Sequence, residues 1–143
     1  MSRATDAVRT RRAMSAFALA LVLVGGPGPT EAATTSGVRR ALLIGINDYR
    51  AVPPLQGALN DVATLREVLE TRGGFRPEHV VVLADAQATR AGILAALYRL
   101  VQQAGSHDLV HVHYSGHGSQ VDDVSGDESD GLDETLVPVD GRT

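Results

Sequence analysis

His111-Val-His-Tyr-Ser-Gly-His117-Gly-Ser-Gln120 is the stretch on which the fold and the chemistry of this 143-residue chain turn. Upstream of it, Asp108-Leu-Val-His-Val-His-Tyr114 alternates apolar and polar residues, the period-2 pattern of a β-strand leaving a core. Gly116 and Gly118 bracket His117. Flanking glycines let a backbone turn sharply and keep N–H groups accessible beside the imidazole. A strand that stops to present a His between glycines is how an α/β fold sets an acid/base group at the carboxyl ends of its strands.

Working outward, the pattern repeats a strand–helix unit. Arg39 to Ile46 is a continuous apolar run, as in a parallel strand buried on both faces. Asp48 to Pro54 reads as a loop, with Pro53-Pro54 stopping any strand. From Gly57 to Arg72, Leu59, Val62, Leu65, Val68 and Leu69 recur at helical spacing, and Gly73-Gly74 ends the helix. His79-Val-Val-Val-Leu83 is a second buried strand. Thr89 caps a second helix whose expected buried face is Ile93, Leu94, Leu97, Leu100, Val101 and Ala104. The order strand–helix–strand–helix–strand with short connections implies an α/β fold with a mainly parallel sheet and right-handed crossovers. Once residues 1–33 are removed as a leader, the third strand, Leu109 to Tyr114, is expected to be left with an unpaired edge, a feature that invites association.

Composition narrows the chemistry. The length allows one domain, and 43% apolar content suits a folded one. The chain has no Cys, so disulfides, thiolate ligands and a Cys nucleophile within these residues are excluded. All 13 basic residues are Arg, which excludes a P-loop or Schiff-base lysine. Residues 1–33 read as an export signal: Arg3, Arg9, Arg11 and Arg12 precede the apolar Ala16–Val24 run, and Thr30-Glu-Ala32 offers a cleavage site. The apolar run is too short to make a permanent membrane span. Without residues 1–32 the chain carries nine Arg against fifteen acids, an acidic balance that speaks against nucleic-acid partners. Export to the periplasm or the exterior follows from that leader, with Thr10-Arg11-Arg12 hinting at the twin-arginine route.

Tyr114-Ser-Gly-His117-Gly-Ser-Gln, followed by Asp127-Glu-Ser-Asp130-Gly-Leu-Asp133-Glu-Thr-Leu-Val-Pro138-Val-Asp140, resembles the metacaspases, relatives of the caspases. Arg40-Ala-Leu-Leu-Ile-Gly-Ile-Asn47-Asp-Tyr49 and Leu59-Asn60-Asp61-Val62 are similar to that family's first strand and first helix, so the resemblance covers about Val38 to Asp140. It implies a caspase-like three-layer αβα fold, incomplete in this chain, and a cysteine-type endopeptidase acting on polypeptides. It also implies roles by position: His117 as the catalytic acid/base, the Gly118 N–H as an oxyanion donor, and Asp61 bordered by Ser115 as the pocket for a basic substrate side chain. A buried carboxylate at Asp61 would favour Arg or Lys, with two-point pairing open to Arg. The other reading of Asn60-Asp61 is a helix start whose side chains satisfy free N–H groups. Asp133 matches a calcium ligand of calcium-activated metacaspases, with calcium as the implied activator. The run Asp122 to Glu134 holds seven acids, but its spacing is not that of an EF-hand. A plain solvated loop is the competing reading.

The nucleophile is the missing part. Caspases place the His ~50 residues before the Cys, whereas 26 residues follow His117 here. The family's Cys is therefore expected beyond Thr143, and these 143 residues alone are expected to be inactive. Three alternatives stand beside that reading. His111, His113 and His117 form a His-x-His-x-x-x-His zinc pattern. Ser115 or Ser119 with His117 would make a serine hydrolase, though no Gly-x-Ser-x-Gly elbow is present. A non-catalytic caspase-like module that binds peptides or partners through the same cleft is the third.

Overall fold

The computed structural model describes residues 17–23 and 37–141. Six strands are formed, β1 (Phe17–Leu23), β2 (Arg39–Gly45), β3 (Val80–Ala84), β4 (Leu109–Gly116), β5 (Gly118–Asp122) and β6 (Leu132–Leu136), with two helices, α1 (Ala58–Thr71) and α2 (Arg90–Gln103). The main sheet has the order β1-β4-β2-β3, in which β2 pairs parallel with both β3 and β4. The chain leaves β2 toward β3 on one side and reaches β4 on the other. Two right-handed crossovers running in opposite directions put α1 and α2 on opposite faces. The result is the expected three-layer αβα arrangement around a parallel sheet.

Alternation along β2 divides the core accordingly. Leu42, Ile44 and Ile46 face α2 and pack with Ile93, Ala96, Leu100 and Tyr114. Ala41 and Leu43 face α1 and pack with Val62, Phe75 and Val80. Burial of β2 on both faces is why its sequence is an unbroken apolar run, each large side chain contributing about 1.5–3 kcal/mol. Thr89 caps α2 as its sequence implies, its hydroxyl accepting from the Gly92 N–H at 3.0 Å. The buried stripe of α2 is narrower than the sequence suggests. Ile93, Ala96 and Leu100 are buried, while Leu94 and Val101 are 50% and 69% exposed. Those two sit seven residues apart on the flank of the stripe, beyond the reach of the sheet, and the small Ala96 lies at its centre. On α1, Val68 likewise falls outside the covered stripe.

Two features add to the sequence-based expectation. With residues 17–23 in place the outer edge of β4 is paired, because Phe17–Leu23 runs antiparallel along it from Phe17 opposite Gly116 to Leu23 opposite Val110. This segment lies inside the proposed export leader; the rest of residues 1–33 lies outside the described residues. An apolar run of this length with β-branched residues satisfies a strand as well as a leader core. The acidic stretch remains a largely exposed loop over residues 123–131, but it is framed by two strands. β5 and β6 form a two-stranded antiparallel ribbon on either side of it, with Gly118 opposite Leu136 and Asp122 opposite Leu132.

Candidate active site

β2 and β4 stay paired to their carboxyl ends, where Gly45 lies opposite Ser115 and the Ile46 N–H donates to the Ser115 oxygen at 3.0 Å. The loop after β2 and the single residue between β4 and β5 meet there. That single residue is His117. Its ring Nε2 lies 2.8 Å from the Pro53 carbonyl oxygen. A carbonyl can only accept, so Nε2 carries the proton and Nδ1 is left as the basic nitrogen. The ring also rests against Tyr49, with centroids 4.8 Å apart. Pro53 therefore does more than end a strand, a role the sequence pattern did not reveal.

The loop that brings Pro53 and Tyr49 to His117 is held by a carboxylate. Asp85, in the left-handed region at φ 41°, accepts from the N–H groups of Asn47 and Asp48 at 2.8 and 3.0 Å. Asn47 in turn caps α1, its Oδ1 accepting from the Ala58 N–H at 2.9 Å. The first turn of α1 lies close over the end of β2, since a Cβ on Gly45 would come within 2.9 Å of Val62 and 3.0 Å of the Ala58 oxygen. Gly45 pairs with Ser115 in the sheet, so this approach carries Asp61 across to β4. The Ser115 hydroxyl donates to Asp61 Oδ2 at 3.0 Å. Asp61 is thus tied to Ser115 rather than to free helix N–H groups. It is exposed, not buried as the substrate-pocket reading supposed, and it lies in the first turn of α1.

Gly118 heads the ribbon beside His117. The Val137 N–H donates to the His117 oxygen at 3.0 Å. By the alternation of an antiparallel ladder, the next pair, Gly118 and Leu136, is non-hydrogen-bonded. The Gly118 N–H accordingly points away from β6.

At the far end of the ribbon, Asp123, Asp127 and Asp133 each offer a carboxylate oxygen, all within 4.8 Å of one another. The sequence singled out Asp133 alone of these three as a ligand. Asp123 accepts from the N–H groups of Glu128 and Gly126 and from the Ser125 hydroxyl, and these bonds hold its carboxyl below the usual carboxylate range. Hard, ionised oxygens converging on one point suit a hard cation such as calcium.

The rival sites are not assembled. His111 and His113 do share the α1 face of β4, with both Nε2 atoms buried and unpartnered, but His117 is turned to Pro53 on the other side of Gly116. The Ser115 hydroxyl is directed to Asp61, not to His117.

Residues 39–143 match the family model described as the metacaspase, peptidase C14 domain. The chain belongs to the metacaspase family. Relatives include metacaspase-1 of Eremothecium gossypii, 46% identical over 114 residues, covering 76% of this chain and 25% of that protein. Metacaspase-1A of Aspergillus niger is 44% identical over 113 residues (75% and 28%). Metacaspase-1 of Schizosaccharomyces pombe is 41% identical over 122 residues (81% and 29%). The chain thus spans about a quarter of the length of the curated metacaspases it matches. A crystal structure of a Geobacter sulfurreducens protein superposes with a TM-score of 0.62 at 32% identity, covering 74% of this chain and 41% of that one. The metacaspase match extends from β2 through the acidic ribbon.

Proposed function

We propose that this chain forms the His-bearing part of a cysteine-type endopeptidase that cuts polypeptides after Arg or Lys. The observation that carries the reading is the arrangement of side chains at the carboxyl ends of β2 and β4. His117, oriented by Pro53, stands on one side of Gly116, and the Asp61–Ser115 pair stands on the other. Nδ1 of His117 is the nitrogen left to take a proton from a thiol and return it to the leaving amine. The Gly118 N–H is a donor for the oxyanion that develops at the scissile carbonyl. Asp61, which is exposed, is covered when a basic substrate side chain pairs with it, and Ser115 fixes the orientation of its carboxylate. The nucleophile is a Cys contributed from outside these Cys-free residues, so the 143 residues by themselves are inactive.

Asp123, Asp127 and Asp133 would hold a calcium ion. When bound, the ion supplies positive charge that offsets the repulsion of the three carboxylates and fastens the turn of the β5–β6 ribbon. Residues 1–33 are proposed to direct export. Among the described residues no helix is long and apolar enough to cross a membrane.

The test is a peptide panel. The full-length protein, assayed with and without calcium, should cleave substrates with Arg or Lys before the cut and spare those with Asp. Cleavage after Asp, or no cleavage of any peptide, would replace this reading with a caspase-like specificity or with the peptide-binding module.

A further inference from the structure

Beneath the Gly116–His117 backbone lies a pair of tyrosine hydroxyls that nothing in the peptidase reading uses. Tyr49 comes from the loop after β2 and Tyr114 from β4, and both are buried, at 7% and 1% exposure. Their hydroxyl oxygens are 3.0 Å apart. The His117 N–H donates to the Tyr49 hydroxyl at 2.7 Å. The Tyr114 hydroxyl lies 2.8 Å from both the His117 and the Val137 carbonyl oxygens.

The direction of these bonds follows from counting donors. Tyr49 accepts from the His117 amide, so its own proton goes to Tyr114; the Tyr114 proton then goes to the two carbonyls, which cannot donate. The chain runs one way, from the His117 N–H through Tyr49 and Tyr114 to the carbonyls of His117 and Val137. It begins and ends on the same residue. Burial pushes both phenols up from the usual tyrosine value, so neither loses the proton that the chain requires. The space is equally specific. A Cβ on Gly116 would lie 2.4 Å from each hydroxyl, closer than real contacts allow.

We propose that Tyr49 and Tyr114 are positioning residues for His117, their paired hydroxyls holding its backbone in the one setting that lets the imidazole reach Pro53. The proposal rests on the acid/base role of His117 for its catalytic consequence, but not for its structural one. Neither tyrosine is directed at a substrate. They fix the N–H and the C=O of the residue that carries the imidazole, while Pro53 fixes the ring. The Tyr49 ring adds a wall against the imidazole face. Rotation of the His117 backbone would break two bonds within the chain at once.

The experiment uses Tyr49→Phe and Tyr114→Phe in the full-length protein, each of which keeps the buried ring and deletes only the hydroxyl. Two readouts are taken, amide hydrogen exchange at His117 and the separate kcat and KM for an Arg peptide, with His117→Ala alongside. In Tyr49→Phe the His117 amide should exchange at least about tenfold faster while the β2 and β4 amides keep their protection. Its kcat should fall about tenfold to a hundredfold, the loss expected when a reacting group is misplaced by a fraction of an ångström to an ångström, with KM within about twofold. Tyr114→Phe should show the same pattern, and the double variant should lose little more than either single one, because the hydroxyls act as one chain. Unchanged exchange at His117 in Tyr49→Phe, or unchanged kcat when His117→Ala is inactive, overturns the proposal. If His117→Ala hydrolyses peptide normally, it is the peptidase reading that fails, and the exchange data alone then decide whether the tyrosines hold His117. A variant that loses protection throughout β2 and β4 shows a role in folding rather than positioning and also counts against it.

Discussion

Gly116 is small because of what lies under it. Among the described glycines, positive φ occurs at Gly57, Gly74, Gly126 and Gly131, and neither Gly116 nor Gly118 needs it. The sequence singled out the Gly-His-Gly unit for freedom to turn, whereas at Gly116 the constraint is steric: two hydroxyls within 2.4 Å of any Cβ. Gly116→Ala should therefore destabilise the fold by about 1–3 kcal/mol through overpacking, measured by denaturant titration, and displace His117. Asp61 belongs to the same scale. Losing a charge-assisted pair with a substrate guanidinium removes about 1.5–3 kcal/mol, so Asp61→Ala should lower kcat/KM for Arg peptides about tenfold to a hundredfold with little effect on thermal stability. His117, Ser115 and Asp61 were legible because they sit in one motif or at one helical turn. Pro53, Tyr49 and Asp85 were not, because their roles exist only once the loop after β2 has closed over β4.

Among the elements, the β5–β6 ribbon is the one the sequence hid. Its strands are five residues each and carry exposed Val121 and Leu136, so neither hydrophobicity nor alternation announces them. A two-stranded ribbon of this length is marginal by itself. In the proposed reading, a bound cation would offset the charge of the three carboxylates gathered at its turn. Calorimetry of the full-length protein should thus detect calcium binding that Asp133→Asn and Asp123→Asn each weaken at least about tenfold, the loss expected when one of three charged ligands is removed. Unaltered affinity in both variants would place any calcium elsewhere. The helices, by contrast, were readable to within a turn, since Thr89 and the Gly73-Gly74 pair punctuate them. The cap of α1 was not, because the side chain that serves it, Asn47, comes from eleven residues upstream. Asn47→Ala should cost about 1 kcal/mol of stability and loosen the turn that holds Asp61.

At the scale of the whole molecule, the mainly parallel sheet followed from alternating strands and helices, and the αβα layering from the resemblance to the metacaspases. The partner on the outer edge of β4 did not, since an apolar run reads equally as a leader core. Beneath α1, two imidazoles give the molecule a pH dependence. Burial lowers His111, and burial chiefly lowers His113, to which His111 adds and which Asp61 partly opposes. The strand facing them across the sheet edge, Phe17–Leu23, contains no titratable residue. Because the folded state binds these protons less readily than the unfolded chain, the stability is present above the ordinary histidine value near ~6.5 and is lost as pH falls below it. Each imidazole contributes a slope of up to about 1.4 kcal/mol per pH unit until the folded form also protonates. Denaturant unfolding between pH 7.5 and about 5 should show this loss, and His113→Leu should flatten it, a test of the buried, unpartnered state of that ring.

The most direct measurement is cleavage of a single peptide containing one Arg by the full-length protein and by its His117→Ala variant, with the cut located by mass spectrometry. The expected result is a cut on the carboxyl side of the Arg by the wild-type protein and a loss of rate of at least about a hundredfold in the variant, the lower bound for removing a general acid/base. Equal cleavage by both proteins would contradict the central claim that His117, set between two glycines at the end of β4, is the proton-transfer group of a peptidase.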